Sequence, residues 1–141
     1  VDLLIHDIDF IRWILGEPDN YYSVGVKNED GLVYNSAVSF KYKNATGIAE
    51  AGYVLGENFR FRMGFKIIAE NVILDYYNLR EPTLISERPD GIANSVLFEN
   101  SNAYANQLSY FINCIKNNSI PSVISLSDAI TNISITEKLD L

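Results

Sequence analysis

Apolar residues at the start of the chain fall at Leu3, Leu4, Ile5, Ile8, Phe10, Ile11, Ile14 and Leu15. Steps of three and four predict a helix with a broad apolar face. Gly16 can cap it, and Pro18 stands where a helix commonly ends. The period then drops to two. Val38, Phe40 and Tyr42 alternate with Ser39, Lys41 and Lys43; Phe59, Phe61, Met63 and Phe65 alternate with Arg60, Arg62, Gly64 and Lys66. Such runs predict strands with one packed face and one more polar face. Glu29-Asp30-Gly31 and Asn44-Ala45-Thr46-Gly47 supply hairpin-type loops. With shorter strand candidates over 73–77 and 83–88, segment 21–88 reads as a mostly antiparallel meander.

Helical spacing returns near the end. Ser101 or Asn102 can cap a helix over Tyr104, Leu108, Phe111, Ile112 and Ile115 that stops at Asn117-Asn118-Ser119. After Pro121, a last helix is expected to start near Ser127-Asp128 and run to the end of the chain. Helix, long sheet and two helices make an α+β class, with an open, mainly antiparallel sheet and helices packed on one face.

A chain of 141 residues, 48% hydrophobic, suits one domain with a real core. A net charge of −7 and the absence of any basic run argue against a nucleic-acid partner. No apolar run approaches the roughly 20 residues that cross a bilayer. Asp2, Asp7, Asp9 and Arg12 interrupt the first apolar stretch, which excludes a signal-peptide core. Cys114 is the only cysteine, so no intrachain disulfide or cysteine zinc site can form, and a reducing, cytoplasmic setting is expected. Cys114 itself reads as a small apolar residue on a helix face. The sequence opens on Val1, and Met63 is its one methionine, so it reads as a piece of a longer protein.

Chemistry concentrates around His6, the only histidine. Asp2 lies four residues before it, which on a helix places the two Cβ atoms roughly 5–6 Å apart. Asp9, three residues after, falls on the same side. A carboxylate beside an imidazole can hold the ring and stabilise its protonated form, and such a histidine can take a proton from an alcohol. The same residues also read as helix-start carboxylates that favour the helix dipole, a reading that fits Asp7 best. One histidine and two aspartates on one helix make a poor metal shell, so no metal is expected. Trp13 reads as core rather than as a cofactor platform. The chain has no G-x-S-x-G elbow, no P-loop and no G-x-G-x-x-G turn.

The stretch Asp2-Leu3-Leu4-Ile5-His6-Asp7-Ile8-Asp9, with Arg12-Trp13 and Leu15-Gly16, resembles the catalytic helix of the Gfo/Idh/MocA oxidoreductases, which include inositol and sugar dehydrogenases. Their motif is D-x-x-x-H, then an acidic residue and an apolar helix ending in Gly. Residues 102–115 are similar to the family's penultimate helix, and Ser127-Asp128-Ala129 to the start of its last one. Residues 67–76 resemble a strand pair of the family, with its turn shortened around Glu70-Asn71.

This resemblance implies that residues 1–141 are a C-terminal substrate-binding and oligomerisation domain. An N-terminal Rossmann domain upstream would bind NAD or NADP and supply a catalytic lysine. A hydride would pass from a carbinol carbon of a sugar or polyol to the nicotinamide. His6 would accept the hydroxyl proton, and Asp2 would orient His6 or bind the substrate hydroxyl. Tyr104 and Arg62 would contact substrate, although Tyr104 reads equally as helix-start packing. Phenylalanines at 59 and 61 would make a wall less hospitable to hydroxyls. The isolated chain would be inactive. A homo-oligomer, dimer or tetramer, would form through the exposed sheet face, to which Tyr21, Tyr22, Tyr42 and Tyr53 could contribute. The rival expectation is a non-enzymatic sensor or scaffold of the same fold; the presence of both Asp2 and His6 speaks for the enzyme.

Overall fold

The structure, a computed structural model, describes residues 3–53, 56–91, 93–96, 102–123 and 125–141. The elements run α1 (Leu4–Leu15), β1 (Asn20–Lys27), β2 (Val33–Lys41), β3 (Thr46–Gly52), β4 (Gly64–Ala69), β5 (Val72–Tyr77), β6 (Leu84–Glu87), β7 (Ala93–Val96), α2 (Ala103–Lys116) and α3 (Leu126–Glu137). The class is α+β, with two antiparallel sheets and three helices. The chain divides into two compact units, Val1–Glu57 with Ile120–Leu141, and Asn58–Ser119.

In the first unit, β1, β2 and β3 form an antiparallel sheet in that order. Asn28 shapes the first hairpin, its Oδ1 accepting from the backbone N–H of Asp30 and Leu32, while Gly31 takes a positive φ of 79°. In the second hairpin Tyr42 N–H donates to the Ala45 carbonyl. The alternation expected in β2 is present: Val38 and Phe40 are buried, Ser39 and Lys41 exposed. Leu4 and Ile8 of α1, Ala49 of β3 and Ile135 of α3 complete this core, and Tyr21, Tyr42 and Ile11 pack at its edge. Gly47 permits the approach of β3 to α1, because a Cβ there would stand 2.8 Å from Ile11 Cγ2. Of the four tyrosines expected on the sheet surface, Tyr21 and Tyr42 therefore serve the core, and Tyr22 and Tyr53 are exposed.

In the second unit, β4, β5, β6 and β7 form a separate antiparallel meander. Ala69 pairs with Val72, so Glu70-Asn71 is a two-residue turn. Phe65 stacks on Tyr76 across β4 and β5 at 5.3 Å between ring centres. Asn102 caps α2, accepting from the N–H of Tyr104 and Ala105. Ser101, the other expected cap, lies outside the described residues.

The single long meander is corrected on two points. The ladders form two sheets, and the Phe59–Met63 alternation precedes β4 without pairing in a strand. Asn78 replaces the missing neighbour: its side chain accepts from Met63 N–H at 2.9 Å and donates to the Phe61 carbonyl at 3.0 Å. Backbone groups that an additional strand would have paired are satisfied by one amide.

Asp75 on β5 joins Arg80 at 2.8 Å and Lys66 at 3.1 Å. Hydrogen bonds from Arg80 and then Lys66 hold its carboxyl below the ordinary value of 3.8. A depressed carboxylate stabilises the fold above its unfolded value and loses that contribution as pH falls through the folded one. Asp75→Asn is therefore expected to lower the melting temperature slightly at pH 7 and to match the parent in acid below the folded value. Thermal melts across pH check this. The difference should also shrink in high salt, because the pair is partly exposed.

Candidate active site on the outer face of the first helix

A helix advances about 100° per residue, so Leu4, Ile8 and Ile11 share one face of α1 while His6, Asp9, Phe10 and Trp13 share the opposite one. The first face is the one buried on the sheet. The second lines an open groove of about 630 Å³, completed by Glu17, by Val123 from the segment leading into α3 and by Asp128 in the first turn of α3. Gly16 ends α1 with φ 80°, its N–H bonded to the Arg12 carbonyl at 2.8 Å, which turns the chain so that Glu17 joins the rim.

Arg12 lies between the two faces and is buried. It ties α1 to α3. Its Nε and Nη2 donate to the two carboxylate oxygens of Glu17, and its Nη1 donates to the side-chain oxygen of Asn132 and to the Asp128 carbonyl. Asn132, also buried, donates its amide N–H to Asp9 Oδ1. One buried amide thus faces Arg12 with its oxygen and Asp9 with its nitrogen. The hydrogen bond to Glu17 raises the already high Arg12 value further. Burial pushes the Asp7 carboxyl up, partly offset by nearby His6. Burial also raises the Tyr42 hydroxyl, with Glu17 adding to the rise; that hydroxyl donates to the Gly16 carbonyl at 3.2 Å.

The start of α3 forms a capping box. Ser125 Oγ accepts from Asp128 N–H, and the Asp128 carboxylate accepts from Ser125 N–H at 3.0 Å. Hydrogen bonds to that carboxylate, first from the Ser125 hydroxyl and then from the Ser125 N–H, hold it below its usual range. Ser125→Ala removes the cap and is expected to cost about 1 kcal/mol. A urea unfolding curve should show a lower midpoint with an unchanged slope.

His6 stands where the spacing placed it, exposed and on the groove with Asp9. Asp2, the other expected catalytic residue, lies outside the described residues. Tyr104 lies in the first turn of α2 and is 78% exposed. Arg62 is exposed in the segment before β4. Both belong to the second unit, whereas the groove is built from the first. Trp13 is corrected: it is 73% exposed on the groove rather than core, because the core takes the opposite face of α1. Asn132 carried no signal in the sequence, since its partners lie about 120 residues away. No three metal-type side chains are grouped among the described residues, and no described helix is long and apolar enough to cross a membrane.

No family model matches the sequence, and no curated protein matches it. Solved structures do. UDP-N-acetylglucosamine 3-dehydrogenase GnnA from Acidithiobacillus ferrooxidans matches with a TM-score of 0.82 and 17% identity, over 96% of this chain and 44% of that one. A probable oxidoreductase, yhhX, matches with a TM-score of 0.67 and 14% identity, over 97% of this chain and 46% of that one. The chain spans less than half the length of each. What is shared at these identities is the α+β fold.

Proposed function

We propose that this chain is the substrate-binding domain of an NAD(P)-dependent dehydrogenase of the Gfo/Idh/MocA type, acting on a hydroxyl-bearing carbon of a sugar or polyol. The carrying observation is His6, exposed on a groove of ligand size, on a helix whose opposite face is locked into the core. The likeness in fold to two oxidoreductases supports the same reading.

The residues described here do not fit a dinucleotide. A pyrophosphate is ordinarily cradled where a parallel strand turns through a Gly-rich loop into a helix N-terminus. Every ladder among the described residues is antiparallel, and the groove rim carries three carboxylates. Cofactor binding is therefore assigned, as part of the proposal, to a Rossmann domain preceding this one. The cofactor supplies hydride acceptance. This chain supplies the proton chemistry: His6 accepts the hydroxyl proton of the carbinol, with Asp2 as its orienting carboxylate. Tyr104 and Arg62 of the second unit remain proposed substrate contacts, and assembly into a dimer or tetramer through the sheet face a proposed partner interaction.

The test is turnover by the complete protein with NAD and NADP against a panel of sugars and polyols, followed by absorbance of the reduced nicotinamide. Reduction with one of them supports the proposal. Tight dinucleotide binding with no turnover on any would favour a sensor or scaffold.

A further inference from the structure

Three carboxylates line the groove, and two have other duties. Glu17 accepts from Arg12 on both of its oxygens. Asp128 stands on α3, turned to the cap by the hydroxyl and the N–H of Ser125. Asp9 differs. Its Oδ1 accepts from Asn132, and among the described residues no hydrogen bond engages its Oδ2. The His6 ring lines the same groove, and among the described residues no hydrogen bond engages either of its nitrogens. The two residues are three apart on α1, which sets them about 60° round the helix and one turn along, within side-chain reach of each other.

Asn132 fixes Asp9. Its side-chain oxygen accepts from Arg12 and its amide N–H donates to Asp9, and both Asn132 and Arg12 are buried. Turning the amide over would aim its N–H groups at a guanidinium and its oxygen at a carboxylate, so one orientation is favoured. An amide held between a cation and an anion is polarised by both, and each bond strengthens the other. Arg12 is also three residues from Asp9 on α1, yet the two form no direct ion pair; Arg12 gives its Nε and Nη2 to Glu17 and its Nη1 to α3. The interposed amide thus occupies one oxygen of Asp9 and leaves the other to the groove.

We propose that Asp9 is a carboxylate partner of His6, accepting its ring N–H and so fixing which nitrogen carries the proton, and that Asn132 is the positioning residue that keeps Asp9 aimed at the ring. A neutral imidazole has one N–H to give, so the orienting part passes from Asp2 to Asp9, and Asp2 is left for the substrate hydroxyl. The bare nitrogen is the one a general base uses. The inference rests on the dehydrogenase reading only for what that nitrogen does next. It gives α3, remote in sequence, a part in the state of His6.

The tautomer is the readout. The complete protein is labelled with nitrogen-15 in histidine, without cofactor or substrate, in solution alkaline enough for the ring to be neutral. The His6 signals are those lost in His6→Gln, and their positions report the ratio of the two tautomers. The same protein unfolded in urea gives the ratio of an unpositioned ring. The folded parent is expected to favour one tautomer about tenfold or more over that reference, the effect of one hydrogen bond to a charged group. Asp9→Ala and Asn132→Ala are each expected to return the ratio to within about threefold of the reference. Melting curves establish that each variant is folded, and Asp9 is half-buried, so the decision does not hang on the buried position alone. A purely structural Asn132 would lower the melting temperature and leave the ratio as in the parent. A parent ratio equal to that of the unfolded chain, or a folded variant of either residue with the parental ratio, would overturn the proposal. Because neither cofactor nor turnover is needed, the two readings can fail separately. A fixed tautomer in a protein without dehydrogenase activity leaves the Asp9 assignment standing; turnover with an unfixed ring does the reverse.

Discussion

Replacing His6 with alanine in the complete protein is expected to lower kcat by about 10²- to 10⁴-fold, the usual contribution of a positioned general base. His6 is the only histidine of the chain and is exposed on the groove, so no second imidazole of this chain can take over. The loss should fall on kcat more than on KM, because proton acceptance matters in the transition state rather than in ground-state binding. The fold should survive: His6 points away from the face formed by Leu4, Ile8 and Ile11 and contributes nothing to the core. Initial rates at saturating substrate, with a melting curve on the same sample, check both statements. An alanine variant with parental kcat would remove His6 from the chemistry while leaving the oxidoreductase reading intact.

What the sequence disclosed about this site follows from range. Helical spacing is a local property, so α1, its cap at Gly16 and the common side of His6 and Asp9 could be read from adjacent residues. The alternation around Val38 and Phe40 could be read for the same reason. The Arg12–Asn132–Asp9 connection could not, because it joins residues about 120 positions apart, and nothing in the local pattern around Asn132 marks it as a partner. Trp13 departs from the core place its spacing predicts for a related reason. Spacing gives the angle of a side chain around its helix but not which angle is covered, and the broad apolar face of α1 exceeds what β2, β3 and α3 conceal. The Phe59–Met63 alternation shows the limit for strands. Alternation records extended backbone, but a strand also needs a neighbour to pair with, and Asn78 meets part of that need with a side chain.

Phe40→Ala is expected to cost about 3–5 kcal/mol, a large share of the roughly 5–15 kcal/mol by which domains are ordinarily stable. Phe40 is fully buried at the centre of the first unit, between Leu4 and Ile8 of α1 and Ile135 of α3, with the Tyr21 ring 6.1 Å away. Removing the ring opens a cavity that a three-stranded sheet and two helices cannot easily collapse, so the transfer loss and the cavity cost add. Phe40→Leu keeps most of the volume and should cost under about 1.5 kcal/mol. The two variants separate packing from chemistry, because Phe40 of β2 packs with Leu4 and Ile8, on the side of α1 opposite the groove. At a temperature where both remain folded, the Leu variant should keep parental kcat. The Ala variant should melt roughly 10 °C lower, and its kcat should fall only as far as its folded fraction does. A Phe40→Ala protein with unchanged melting would mean that the packing of α1 on β2 is not what holds the His6 helix in place. The groove would then need another support, which the packing of α1 on β3 and the Arg12–Asn132 connection to α3 could provide.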